Sequence, residues 1–194
     1  MKEIQDFYFK KAKKENYFAR SVYKLEEIQD KKKFLKSGHK IIELGAFPGS
    51  WSQYASKVVG EKGLVIGVDL QNRDYDIATN TPFICGDVFE IDKSVYQKYA
   101  TEFDGIISDM APNTTGNKSV DHLASYSLCE KSLFLSLELV KKNGYLLVKF
   151  FQGSEFQNLL KMLKEYYKIV EIIKPDSSRK ESKEIFILAL NKIN

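Results

Sequence analysis

From residue 40 onward, short continuous apolar runs alternate with longer amphipathic ones, and few architectures accept that pattern. A continuous apolar run suits a strand buried on both faces, and such strands belong to parallel sheets covered by helices. The pattern predicts strands at Lys40–Leu44, Leu64–Asp69, Phe83–Cys85, Gly105–Ser108 and Tyr145–Phe150, and helices at Ser50–Val59, 92–99 and 121–142. The third helix carries a stripe at Leu128, Phe134, Leu135 and Leu139 and an exit signal, Lys141-Lys142-Asn143-Gly144, with basic residues in the last turn and glycine after it. A helix at 154–166 and strands at Ile169–Ile173 and Glu184–Leu190 follow. Only the loop 175–182 separates these last two strands, so no helix crosses a sheet face there and the last strand should run antiparallel. The expectation is an α/β, Rossmann-like, doubly wound sheet of seven mostly parallel strands, with ligands at the C-terminal strand ends.

Composition narrows the class. A chain of 194 residues with 43% apolar and 29% charged residues reads as one folded domain spanning 1–194, neither disordered nor membrane-spanning. Cys85 and Cys129 make no C-x-x-C pair, and His39 and His122 lack metal-ligand spacing, so no structural metal is expected. Met1 to Asn16 carries charges throughout and has no apolar signal core, so a cytoplasmic protein is expected; a monomer is a separate expectation.

Charge is distributed unevenly. Residues 1–40 hold 12 Lys+Arg against 6 Asp+Glu, whereas residues 41–194 hold 18 against 20. A basic, mainly helical arm at 1–39 on a near-neutral body suits a polyanion, because each cation near a phosphate gains from counterion release. A solvated lysine-rich helix face is the plainer alternative.

Directly after the first strand stands Glu43-Leu44-Gly45-Ala46-Phe47-Pro48-Gly49-Ser50-Trp51, a glycine loop opening a helix. It is not the dinucleotide fingerprint, since Phe47 stands where a glycine is required, and it is not a P-loop, since no G-K-S/T closes it. Asp69 ends the second strand, where an acid can accept both ribose hydroxyls; Asp87 lies past the third, within reach of an adenine amino group. Together these describe an adenosine pocket without phosphates, which favours S-adenosylmethionine over NAD. Taken singly, the glycines are turn residues, the acids are caps, and Trp51 either fills the core or lines the cofactor.

Further motifs complete a set. Arg20-Ser21-Val22-Tyr23-Lys24, Gly45 through Gln53, Ser108-Asp109-Met110-Ala111-Pro112-Asn113, Val148-Lys149-Phe150-Phe151-Gln152-Gly153 and Lys174-Pro175-Asp176-Ser177-Ser178-Arg179 through Glu184 resemble the FtsJ-type ribose 2′-O-methyltransferases. The likeness runs from Arg20 to Leu190 and is closest to the bacterial members that modify a uridine of large-subunit ribosomal RNA. It implies an S-adenosylmethionine-dependent methyltransferase fold, ribosomal RNA as partner, within a large subunit or its precursor, and a Lys-Asp-Lys-Glu tetrad at Lys24, Asp109, Lys149 and Glu184. It also implies cofactor contacts at Gly49, Trp51, Asp69, Asp87 and Asp109. Phe47 stands where relatives commonly carry a small residue, and Ser50 where bacterial members often carry glycine.

The tetrad makes chemical sense. A ribose hydroxyl is a poor nucleophile, so in-line methyl transfer to oxygen needs an aligned 2′-oxygen and a base. Lys149 is the candidate base, because burial, the cofactor's sulfonium charge and a nearby Lys24 each favour a neutral amine, a shift that Asp109 opposes. Asp109 is expected to orient Lys149. Lys24 is expected to bind a flanking phosphate or assist the base, and Glu184 to hold Lys24 or the ribose. Alternatives are a transfer RNA 2′-O-methyltransferase, a non-catalytic RNA-binding or ribosome assembly factor, and a nicotinamide oxidoreductase, the last opposed by the broken fingerprint.

Overall fold

The computed structural model describes residues 2–179 and 182–194; Met1 and positions 180 and 181 of the predicted 175–182 loop lie outside the described residues. The basic segment forms two helices, α1 (Lys2–Lys14) and α2 (Val22–Lys32). The strands are β1 (Lys40–Leu44), β2 (Leu64–Asp69), β3 (Phe83–Cys85), β4 (Phe103–Ser108), β5 (Val140–Phe151), β6 (Tyr167–Ile173) and β7 (Glu184–Lys192). Between them run α3 (Ser50–Val59), α4 (Lys93–Gln97), α5 (Lys118–Leu139) and α6 (Phe156–Tyr166).

The strands make one sheet in the order β3-β2-β1-β4-β5-β7-β6. Pairing is parallel from β3 to β5 and antiparallel on both sides of β7. The short connection after β6 reverses the chain, so β7 inserts between β5 and β6 and runs against both. Successive residues of the central strands enter opposite cores. Ile106 and Leu146 pack on the face covered by α5 and α6, with Leu133, Leu139 and Leu163. Ile107 and Leu147 pack on the face covered by α2 and α3, with Leu25, Ile28, Trp51 and Phe186. Burial on both faces explains why these strands read as continuous apolar runs.

The predicted boundaries of the long helix and of the fifth strand are displaced. The helix expected over 121–142 runs instead from Lys118 to Leu139, and Lys141 to Gly144 belong to the entry of β5. Lys192, at the end of β7, donates from Nζ to the carbonyls of Ser136 (3.0 Å), Leu137 (2.7 Å) and Val140 (2.6 Å). These bonds satisfy orphan carbonyls at the helix end, so no glycine cap is needed there. Lys141 reaches Asp104 at 2.6 Å instead. The buried face of α5 also differs from the predicted stripe: Phe134 is exposed, and Cys129, Ser132, Leu133, Ser136 and Leu139 are buried. Ser132 and Ser136 enter the core because their hydroxyls donate back to the carbonyls of Leu128 (2.7 Å) and Leu133 (2.6 Å). Among the described residues, no helix is long and apolar enough to cross a membrane.

Candidate active site

Parallel strands all end on one edge of the sheet, and the chemistry-bearing residues collect there. β1 ends in the glycine loop, where Gly45 (φ +76°) and Gly49 (φ +109°) adopt left-handed backbone conformations that L side chains rarely tolerate. A Cβ on Gly45 would lie 2.8 Å from the Met110 amide nitrogen, so only glycine lets this loop approach the segment after β4. The Asp109 amide donates to the Leu44 carbonyl at 3.1 Å, which fixes that segment beside the loop.

On the other side of the loop, both oxygens of Asp69 accept backbone amides at 2.9 Å: Oδ2 from Phe47 and Oδ1 from Gln71. Asp87 Oδ1 accepts from the Phe89 amide at 2.9 Å. Each carboxylate oxygen retains a second lone pair for a ligand. Leu70 and Phe89, beside these acids in sequence, are 69% and 51% exposed, so apolar surface borders the acidic positions.

Glu43, beneath the loop in β1, is buried and accepts from the Ser52 hydroxyl. Burial pushes its carboxyl up to about 8, and the Asp109 charge adds to the shift. It lies within the glycine motif, yet its buried position depends on tertiary packing.

The tetrad is assembled as two ion pairs. Lys149 is 9% exposed, and its Nζ donates to Asp109 Oδ1 at 2.9 Å and to the Asp109 main-chain carbonyl. Behind it, the buried thiol of Cys129 donates to the Lys149 carbonyl at 3.1 Å, tying the strand to α5. Lys24 Nζ lies 2.6 Å from Glu184 Oε1, which also accepts from the Ser178 hydroxyl at 2.9 Å. Burial would raise the Glu184 carboxyl, but the Lys24 charge, the bonds from Lys24 and Ser178 and the Lys149 charge together hold it below its ordinary range. Register joins the two pairs: Lys149 faces Phe186 across the β5–β7 ladder, Phe151 faces Glu184, and the Lys24 ammonium stands 5.9 Å from the Phe186 ring centroid.

Several residues within or beside the sequence motifs have positioning roles that only their tertiary partners reveal. Ser21 and Ser50 share a hydrogen bond between their hydroxyls at 2.9 Å, joining the start of α2 to the first residue of α3. Arg20 donates to the Ser177 carbonyl at 2.8 Å, and Glu27 accepts the amides of Asp176 (2.6 Å) and Ser177 (3.0 Å). These contacts clamp the β6–β7 loop onto α2 and set Lys24 against Glu184. The Trp51 side chain is buried against Phe186, with ring centroids 5.8 Å apart. Any ligand contact from Trp51 therefore belongs to its backbone in the first turn of α3. His122 is also structural: its Nδ1 lies 2.8 Å from the Phe151 carbonyl, and its Nε2 accepts from the Glu155 amide at 2.8 Å.

Comparison with known proteins identifies the family and the fold. The model of the FtsJ-like methyltransferase family matches residues 17–192. A curated relative from Desulfatibacillum aliphaticivorans, named Ribosomal RNA large subunit methyltransferase E, is 44% identical over 97% of this chain and 91% of its own length. A crystal structure from Plasmodium falciparum, described as a candidate ribosomal RNA methyltransferase, is 30% identical, with a TM-score of 0.81 over 92% of this chain and all of that one. Fibrillarin from Aeropyrum pernix, solved with natively bound S-adenosyl-L-methionine, shares the fold at 18% identity and a TM-score of 0.65, covering 88% of this chain and 76% of its own. With a family match over nearly the whole chain, and both ion pairs assembled beside the glycine loop, the chain belongs to the FtsJ-like methyltransferase family.

Proposed function

We propose that this enzyme methylates the 2′-hydroxyl of a uridine ribose in large-subunit ribosomal RNA, with S-adenosylmethionine as methyl donor; the choice of uridine rests on the family resemblance. The single observation that carries this reading is the pairing of Lys149 with Asp109 and of Lys24 with Glu184 at the strand ends beside the glycine loop. The residues present fit the donor. Gly45 and Gly49 make a cradle in which a Cβ would collide with its neighbours, and Asp69 and Asp87 offer acceptors for ribose hydroxyls and an adenine amino group. Gly49, the Trp51 backbone and Asp109 complete the cofactor set. The bound donor supplies an electrophilic methyl group on a sulfonium.

The chain's own residues then have defined tasks. Asp109 holds Lys149 Nζ by side chain and main chain, so Nζ occupies one position when the hydroxyl arrives. With the donor bound, in-line transfer would replace its sulfur–methyl bond by an oxygen–methyl bond, with S-adenosylhomocysteine as the leaving group; the 2′-hydroxyl gives up its proton, and Lys149 Nζ is the group we assign to take it, which requires a neutral amine at that moment. Glu184, anionic and bonded to Lys24, orients Lys24 toward the RNA backbone. Residues 1–39 serve as the RNA-facing arm of a single methyltransferase domain.

The test is methyl transfer from labelled S-adenosylmethionine to large ribosomal subunits lacking the modification, followed by alkaline hydrolysis of the RNA. A 2′-O-methylated nucleotide resists cleavage on its 3′ side, so one labelled resistant dinucleotide is expected. Label in a base, or no label in the subunits while transfer RNA offered in a parallel reaction is methylated, overturns the reading.

A further inference from the structure

Beyond the tetrad, the same edge of the sheet holds a cavity of about 440 Å³ between the start of α5 and the loop after β5. Its walls include Lys118, Leu123, Phe151, Gln152 and Lys183. We propose that this cavity is a subsite for the nucleotide adjacent to the one that is methylated, an inference that rests on the proposed ribose methylation.

Three observations lead there. First, the cavity adjoins the tetrad along the chain: its lining includes Phe151 and Lys183 but none of the four tetrad residues. Phe151 is two residues beyond Lys149 on β5 and pairs with Glu184, and Lys183 immediately precedes Glu184. Two residues along a strand span about 7 Å, so a nucleotide next to a ribose held at Lys149 reaches this cavity. Second, the wall is amphipathic. Leu123 is 52% exposed in the first turns of α5, an apolar surface that the protein's own core does not use. The cavity volume also falls in the range of small-ligand pockets. Third, the charge suits a phosphodiester. Lys118 and Lys183 are exposed and have no ion-pair partner among the described residues. Asp121, the carboxylate in the wall, is engaged by Thr115, whose amide and hydroxyl donate to Oδ1 at 2.7 and 2.9 Å.

The cavity is also held in shape. The His122 ring bridges the Phe151 carbonyl and the Glu155 amide. Gly153 lies against that ring so closely that a Cβ would stand 2.3 Å from it. A preformed wall lowers the ordering cost of binding a base.

The experiment uses large ribosomal subunits lacking the modification as methyl acceptor. Leu123→Asp and the double variant Lys118→Gln/Lys183→Gln change exposed positions, so folding is not at issue. Each is expected to raise KM for the subunits about ten-fold, as placing a charge in an apolar contact or removing two phosphate partners does, with kcat and calorimetric affinity for S-adenosylmethionine within two-fold of the unaltered protein. A photoreactive benzoylphenylalanine at position 123 is expected to crosslink to the nucleotide next to the methylated one. Unchanged KM in either variant, or a crosslink to any other nucleotide or to none, overturns the subsite. Failure of the unaltered protein to make a 2′-O-methyl group would instead overturn the reaction, so the two failures are distinct.

Discussion

The indole Nε1 of Trp51 donates to the main-chain carbonyl of Ser21 at 2.8 Å, so the first turn of the helix behind the glycine loop holds the segment that carries Lys24. One side chain thereby couples the cofactor half of the site to the tetrad half. Trp51→Phe keeps an aromatic in the core but deletes this bond. It is expected to lower unfolding free energy by about 1–3 kcal/mol, combining a missing hydrogen bond with imperfect packing. Turnover should fall further than S-adenosylmethionine affinity, because Lys24 loses its anchor. Urea unfolding and steady-state kinetics test this, and an unchanged kcat would show that the bond does not position Lys24.

Lys149→Ala is expected to reduce methyl transfer by about 10²- to 10⁴-fold, the usual range for loss of a general base, with further loss if the hydroxyl is misaligned. Cofactor affinity should stay within a few-fold. Turnover near that of the unaltered enzyme would rule out the assigned role.

Asp69→Ala and Asp87→Ala should each weaken S-adenosylmethionine binding by roughly 1–3 kcal/mol, the cost of leaving ligand polar groups unpaired. Asp69 also accepts the Phe47 amide, so its replacement should loosen the glycine loop as well. Calorimetry decides: unchanged affinity in both variants would place the cofactor elsewhere.

Glu43 makes stability depend on pH. Its carboxyl holds its proton to about pH 8 in the folded protein, against an ordinary value of 4.5. A raised carboxyl favours the folded state fully below pH 4.5, and this contribution is lost as pH rises through 8. Glu43→Gln removes the titration while keeping an acceptor for Ser52. Over that window the unaltered protein should lose stability relative to the variant by at most about 1.4 kcal/mol per pH unit. Parallel stability curves for the two proteins would contradict the buried, protonated state.

The arm gives a salt-dependence prediction. Lys13 and Lys14 are exposed, whereas Lys11 lies 4.2 Å from the Tyr23 ring centroid and Arg20 is bonded to Ser177. Neutralising Lys10, Lys13 and Lys14 together should weaken RNA binding and flatten the slope of log affinity against log salt, by about 0.7–0.9 for each phosphate that is no longer neutralised. Cofactor affinity should not move. A slope matching the unaltered protein would reduce the arm to a solvated face.

The strand and helix alternation, the glycine loop and the four tetrad positions are legible in the linear chain. Burial on both faces leaves an unbroken apolar run, and a left-handed turn against a neighbouring backbone demands glycine at 45 and 49. The division of the tetrad, Lys149 with Asp109 and Lys24 with Glu184, appears only in three dimensions, since the partners come from different elements far apart in the chain. The end of α5 is of the same kind. A local signal at Lys141-Lys142-Asn143-Gly144 marked one boundary, but Lys192, more than 50 residues later, supplies the donors that stop the helix at Leu139. Likewise the burial of Ser132 and Ser136, the Ser21–Ser50 link and the protonated Glu43 depend on what packs around them, because a polar group enters a core only where a partner waits for it.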